Sequence, residues 1–164
     1  MSASRPFVLD LDGWRDPLDV LPLFAAGRAP ALLLSAGPEG AGEDIARYSF
    51  LSAEPFSEVV WDAWRDADDP FLKLEAALAP HACLPAGEWP FAGGAIGWIG
   101  FDARLAVEPS LRPMARRAGP RDPALPDLWF GLYGWTIAWD HLERRWAVIA
   151  RERLEARRVA ARLE

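Results

Sequence analysis

The stretch FAGGAIGWIGFD, residues 91–102, sets four glycines among apolar side chains and closes on an acid. Glycine weakens a regular element through its backbone entropy, so a segment this apolar needs a reason to keep so much of it. A phosphate cradle would be one reason. The dinucleotide fingerprint requires G-x-G-x-x-G, and the P-loop requires G-x-x-x-x-G-K-[ST]. Here the glycines fall at 93, 94, 97 and 100, and no Lys, Ser or Thr follows to meet a phosphate. Neither spacing is met, so the rest of the chain must say what the glycines serve.

With 164 residues, 51% hydrophobic and 26% charged, the chain has the size and composition of one globular domain with a real core. The single cysteine, Cys83, excludes an internal disulfide framework, and two histidines are too few for a structural zinc cluster. That usage suits a reducing compartment, and a cytoplasmic protein is expected. The opening MSASRPFVLDLDGWRD meets acids before any signal-peptide core forms, and no apolar run approaches the roughly 18 residues of a membrane span. Residues 1–140 carry 11 Lys/Arg against 20 Asp/Glu, a balance of −9, while 141–164 carry 7 Arg against 4 Glu, a balance of +3. An acidic body argues against nucleic acid, whose binding releases counterions to cationic surfaces. The basic tail reads as an exposed helix face.

Along the chain, residues 16–27 read as a short helix capped by Asp16, opened by Pro17 and closed by a left-handed Gly27, with Pro22 a candidate break. Residues 31–35 read as a buried strand, followed by strands in RYSFLSAEP and SEVVWDAW; the short spacings favour antiparallel neighbours. A helix capped by Asp68 or Asp69 and opened by Pro70 puts Phe71, Leu74 and Leu78 on one face, with Lys73 toward water. Residues 109–126 look like a surface loop. Nine tryptophans are many for this length, and a surface row of them would suggest a stacking platform. The alternation of Trp135, Ile137 and Trp139, with Trp146 and Val148 after a turn at 140–144, instead places these rings on one packed face of a hairpin. No histidine stands near a Ser or Cys in a triad-like context. From Arg151 the pattern turns helical and reaches Glu164 without a stop signal, which suggests a chain that continues.

RYSFLSAEP, DDPFLKLEAAL, PFAGGAIGWIGFD and LPDLWFGLYGWTIAWDH follow one another in the order and spacing of a known module. Over about residues 18–150 the chain resembles the N-terminal domain of the aminodeoxychorismate synthase component I and anthranilate synthase component I family. The resemblance implies an α+β fold: half of a two-sheet antiparallel framework with a few flanking helices. It divides the chain into residues 1–150, the domain itself, and 151–164, the start of a helix leading to a missing chorismate-binding C-terminal module. It gives Gly93, Gly94, Gly97 and Gly100 an architectural role in a core strand where backbones meet closely, and has Asp102 tie the strand end to backbone or to Arg104.

Family members aminate chorismate with magnesium in the C-terminal module, using ammonia from a glutamine amidotransferase subunit. The resemblance therefore implies no cofactor in this chain and magnesium in the missing module. The P-I-[Lys/Ala]-G-T motif and the magnesium-binding glutamates of that module do not occur here, so the chain is expected to have no catalytic residues and no activity alone. The family's tryptophan pocket carries over to Ser35, Arg47, Tyr48 and Ser49. Leu34 stands where anthranilate synthases usually have Glu, which tilts the reading toward the aminodeoxychorismate branch, leading to 4-aminobenzoate and folate. The alternatives are a stand-alone module that binds an aromatic amino acid, and the N-terminal domain of an anthranilate synthase component I.

Overall fold

The computed structural model describes residues 5–35, 46–81, 86–115 and 125–164. In chain order these form β1 (Phe7–Leu11), α1 (Pro17–Phe24), β2 (Ala31–Leu33), β3 (Tyr48–Ser52), β4 (Ser57–Trp61), α2 (Pro70–Leu78), β5 (Gly94–Ile99), α3 (Arg104–Val107), α4 (Arg112–Ala115), β6 (Leu128–Tyr133), β7 (Trp135–Asp140), β8 (Arg145–Ala150) and α5 (Arg153–Ala160). Two antiparallel sheets result, one of five strands in the order β1-β8-β7-β3-β2 and one of three in the order β4-β6-β5. The expected α+β class is what the chain adopts. No helix among the described residues is long and apolar enough to cross a membrane.

The tryptophan alternation does what a period of two demands. Trp135, Ile137 and Trp139 share a face with Trp146, Val148 and Ala150, and there meet Val20 and Phe24 of α1 and Ala156 and Val159 of α5. Trp139 and Trp146 stand directly opposite each other, their rings stacked at 5.9 Å. Buried indoles still need a partner for the N–H. Trp139 Nε1 donates to Arg15 O at 2.9 Å and Trp146 Nε1 to Asp12 O at 3.3 Å, which ties the segment after β1 to the sheet. Arg157 faces solvent, while Leu163 beyond α5 is buried in this same core.

Several local expectations are corrected. In α1, Asp16 accepts from Leu18 N as a cap should, but Pro22 lies inside the helix, and Gly27 is not left-handed; Ala29 takes that conformation at φ 44°. Among the described residues the strand at 31–33 pairs only to β3, at the edge of its sheet, and Leu33 and Leu34 are exposed rather than buried. β3 and β4 are not neighbours. A left-handed Glu54 followed by Pro55 sends the chain to the other sheet, where Phe56 N donates to Leu132 O at 2.9 Å. On α2, Phe71, Leu74 and Leu78 share a face as expected, but Phe71 is partly exposed and the packed residues are Pro70, Leu74 and Ala77; Asp69 caps the helix and Asp68 O accepts from Trp61 Nε1 of β4. The described part of the expected loop 109–126 is helical at 109–115.

The glycine segment forms β5, and β5 is an edge strand, not a central one. Gly93 and Gly94 have φ of +96° and +130°, conformations that L side chains avoid. Further along, an added Cβ at Gly97 would lie 1.9 Å from Trp129 O of β6. The glycines thus let β5 lie against the backbone of β6 and let its start pass under the β6–β7 junction.

Candidate functional site

Ser35 ends the β2 segment, Arg47 precedes β3, and Tyr48 and Ser49 begin it. The pairing of β3 with β7 brings all of them to the turn between β7 and β8. Ser49 is fully buried; its Oγ accepts the Ser35 N–H at 3.0 Å and lies 2.7 Å from His141 Nε2. Because that oxygen already accepts from Ser35, its own proton is free to point at an unprotonated Nε2, the neutral imidazole with hydrogen on Nδ1. Burial pushes the His141 pKa down, against the pull of Asp16 and Asp140, and so favours the same neutral ring. Trp14 meets that ring edge-on at 5.5 Å.

Arg47 turns away from this pair. Its guanidinium makes a fork on Asp140, with Nε at 3.1 and 3.2 Å and Nη2 at 2.8 Å, and touches Glu143 at 3.4 Å. Asp140 is fully buried. Burial alone would raise its pKa, but the Arg47 hydrogen bonds, the Glu143 amide, and the charges of Arg47 and Arg145 hold it below the usual carboxylate range. Tyr48 points to the other sheet face, against Phe50 and Trp89, with the Arg47 guanidinium 4.9 Å from its ring centre. Of the four pocket residues read from sequence, Ser35 and Ser49 converge, Arg47 serves an ion pair, and Tyr48 lies across the sheet.

The sequence expectation is that no histidine stands near a serine or cysteine in a triad-like context; Ser49 and His141 do meet, at 2.7 Å. Their contact has the spacing of a nucleophile and base. Ser49, however, is sealed from any reacting atom and already bound to a backbone N–H, and Asp140 is committed to Arg47 rather than to the imidazole. A working triad needs an accessible nucleophile and an acid on the imidazole, so this pair is a lock between β2, β3 and the turn. Sequence offers no signal for it, since Ser49 and His141 meet only through strand pairing. The lock carries a pH signature. A depressed histidine contributes stability that is present above its unfolded value, about 6.5, and lost as pH falls through the lower folded value. Denaturant titrations of the wild type between neutral and mildly acid pH are expected to show this loss, and His141→Gln is expected to flatten it.

Elsewhere, Asp102 pairs with Arg104 at 3.5 Å, and Arg104 stacks on Phe101 at 3.7 Å. Two open concavities flank the three-stranded sheet. An apolar groove of about 590 Å³ runs between α2 and the start of β5, lined by Phe71, Leu74, Leu78 and the Gly93–Gly94 backbone. A polar cleft of about 440 Å³ lies between Phe56, the β6–β7 junction and α5. Among the described residues, no three His, Cys, Asp or Glu side chains converge as a metal ion would require.

No protein-family model matches the chain. Among curated proteins it is similar to aminodeoxychorismate synthase component 1 of Salmonella typhimurium, 34% identical over 142 residues, covering 77% of this chain and 29% of that protein. It is similar to anthranilate synthase alpha subunit 2 of Arabidopsis thaliana, 29% identical over 138 residues, covering 74% of this chain and 22% of the relative. The aminodeoxychorismate synthase component 1 of Escherichia coli is 29% identical over 141 residues, covering 78% and 30%. The chain thus spans less than a third of the length of each of these relatives.

Proposed function

We propose, from the premise that this chain belongs to the family of aminodeoxychorismate synthase and anthranilate synthase component I, that it is the non-catalytic N-terminal domain of an aminodeoxychorismate synthase component I. Its role is to complete the framework on which a chorismate-binding C-terminal module, with magnesium, aminates chorismate toward 4-aminobenzoate. A glutamine amidotransferase subunit supplies the ammonia. The observation that carries this reading is the open edge of β5. There Ile99 is 55% exposed, Phe101 80% and, on α3, Val107 72%, beside a strand that, among the described residues, pairs on one side only. An apolar patch along an unpaired edge is a surface made to be covered. Leu34, where anthranilate synthases usually carry Glu, favours the aminodeoxychorismate branch.

The test is reconstitution. The 164-residue chain, mixed with the C-terminal module expressed separately and the amidotransferase, is expected to form aminodeoxychorismate from chorismate, glutamine and magnesium; the chain alone, or with the amidotransferase alone, is expected to form none. Activity without the C-terminal module would overturn the assignment. Anthranilate as the product would move the chain to the other branch.

A second reading, a tryptophan pocket at Ser35, rests on one observation. The Ser35 hydroxyl has no hydrogen-bond partner among the described residues, while its N–H is held by Ser49 at 3.0 Å. Tryptophan is then expected to bind saturably, and Ser35→Ala to weaken it by about 0.5–1.5 kcal/mol, one ordinary hydrogen bond. Calorimetry without heat at millimolar tryptophan would remove this reading.

A further inference from the structure

We propose that the cleft between Phe56 and α5 binds a free α-amino acid with an apolar side chain, its ammonium on Glu155, its carboxylate on Arg158 and its side chain against Phe56. This site is separate from the Ser35–Ser49 pair and from the β5 edge.

The argument starts from two charges that do not meet. Glu155 and Arg158 stand three apart on α5, a spacing at which opposite charges usually pair. Both line the cleft, yet neither has a hydrogen-bond or ion-pair partner among the described residues. The half-buried Glu155 carboxylate is turned under Gly134, where an added Cβ would sit 3.2 Å from both of its oxygens. The missing side chain at 134 is therefore what makes room for the acid. Burial raises the Glu155 pKa and Glu152 adds to the rise, while Arg151 and Arg158 pull it down. An unpaired carboxylate in such a place is stabilised by an arriving cation.

Of the other charges around the cleft, Glu152 lines it as an exposed second carboxylate, whereas Arg151 and Arg162 are engaged. Arg151 Nη1 lies 2.7 Å from His81 Nδ1, and Arg162 donates to Glu54 Oε1 at 3.0 Å and to Leu23 O at 3.1 Å. The half-buried Glu155 carboxylate and the Arg158 guanidinium, on one wall and neither with a hydrogen-bond or ion-pair partner among the described residues, are the complement of a zwitterion whose ammonium and carboxylate sit on one carbon. The apolar part of the ligand has its own surface. Phe56 is 46% exposed and is fixed from behind by His81, whose ring meets it edge-on at 4.6 Å; Leu154 lies open on the α5 side. About 440 Å³ is room for such a molecule.

The experiment is isothermal calorimetry of the 164-residue chain with L-phenylalanine and L-leucine as probes. Saturable binding is expected at roughly millimolar dissociation constants or tighter. Glu155→Gln and Arg158→Ala are each expected to weaken it about tenfold or more, the loss of one charge-assisted hydrogen bond. Arg157→Ala, one residue away on the solvent face, is expected to leave it unchanged. Phenethylamine lacks the carboxylate and 3-phenylpropionate lacks the ammonium. Both are expected to bind about tenfold weaker than L-phenylalanine, a comparison that needs no variant to fold. Absence of saturable heat with either amino acid would overturn the proposal. So would wild-type binding by both charge variants, or binding of the two analogues as tight as that of L-phenylalanine, or a loss that follows Ser35→Ala instead. None of these results bears on the component I reading, which the amination assay tests by itself.

Discussion

Gly97→Ala is expected to cost at least about 3 kcal/mol, or to prevent folding, although it adds only one methyl group to an exposed position. The added Cβ would stand 1.9 Å from Trp129 O, 2.7 Å from Phe130 Cα and 2.8 Å from Trp129 C. All three atoms are backbone of β6, the middle strand of its sheet, so no side chain can swing aside. β5 would have to lift away from β6, breaking the ladder from Gly94↔Tyr133 to Ile99↔Leu128 and the Trp98–Trp129 stack at 5.0 Å. A domain of this size has about 5–15 kcal/mol of stability in all. Gly94→Ala is the control. Its backbone is strained at φ +130°, but the nearest atom to an added Cβ is the Phe91 ring edge at 3.7 Å. That substitution is expected to cost about 1–3 kcal/mol, the price of strain alone. Urea unfolding followed by tryptophan fluorescence measures both. If Gly97→Ala cost less than Gly94→Ala, the close approach of β5 to β6 would be wrong.

Asp140→Asn is expected to destabilise the domain by about 1–3 kcal/mol at neutral pH, because a buried charge-assisted network loses its acceptor. Asp140 receives the Arg47 fork, lies 3.5 Å from Arg145 and accepts the Glu143 N–H at 3.3 Å. It closes the β7–β8 turn and holds the start of β3 against it. The pH dependence follows from the lowered pKa of its carboxyl. A depressed carboxyl contributes stability that is fully present above its unfolded value, about 3.9, and is lost as pH falls through the lower folded value. Wild-type stability is therefore expected to drop on acidification below that range, and Asp140→Asn to drop less steeply there. Arg47→Ala leaves the acid buried with Arg145 as its remaining cation, so the Asp140 pKa is expected to rise; a carboxyl-carbon NMR titration reads the shift directly. An Asp140 that titrates at its ordinary value in the wild type would contradict the network.

The glycine spacing, the tryptophan alternation and the helix caps were legible in the sequence because each expresses a local rule. Period two puts Trp135, Ile137 and Trp139 on one face wherever the strand lies, and Asp16–Pro17 and Asp69–Pro70 start helices in any surroundings. The family was legible too, through motifs carried in order along the chain. The candidate sites were less so. Ser35 and Ser49 could be named from a motif, but that Tyr48 faces away from Ser49 follows from strand alternation, and that Arg47 is spent on Asp140 needs the β3–β7 register.

By itself, then, the sequence determined the α+β class, most of the segments that become strands and helices though not β1, α3 or α4, the buried face of the hairpin, and membership in the component I family. Only the tertiary structure decided which strands neighbour one another. It moved β4 away from β3, left β5 at the edge of its sheet, joined Ser49 to His141, and set Glu155 under Gly134 with no hydrogen-bond partner among the described residues. The physical reason is range. Propensity, capping and periodicity act over a few residues, whereas sheet order and side-chain partnership arise from contacts between segments far apart in the chain. Those contacts form only when both faces of each sheet have found what covers them.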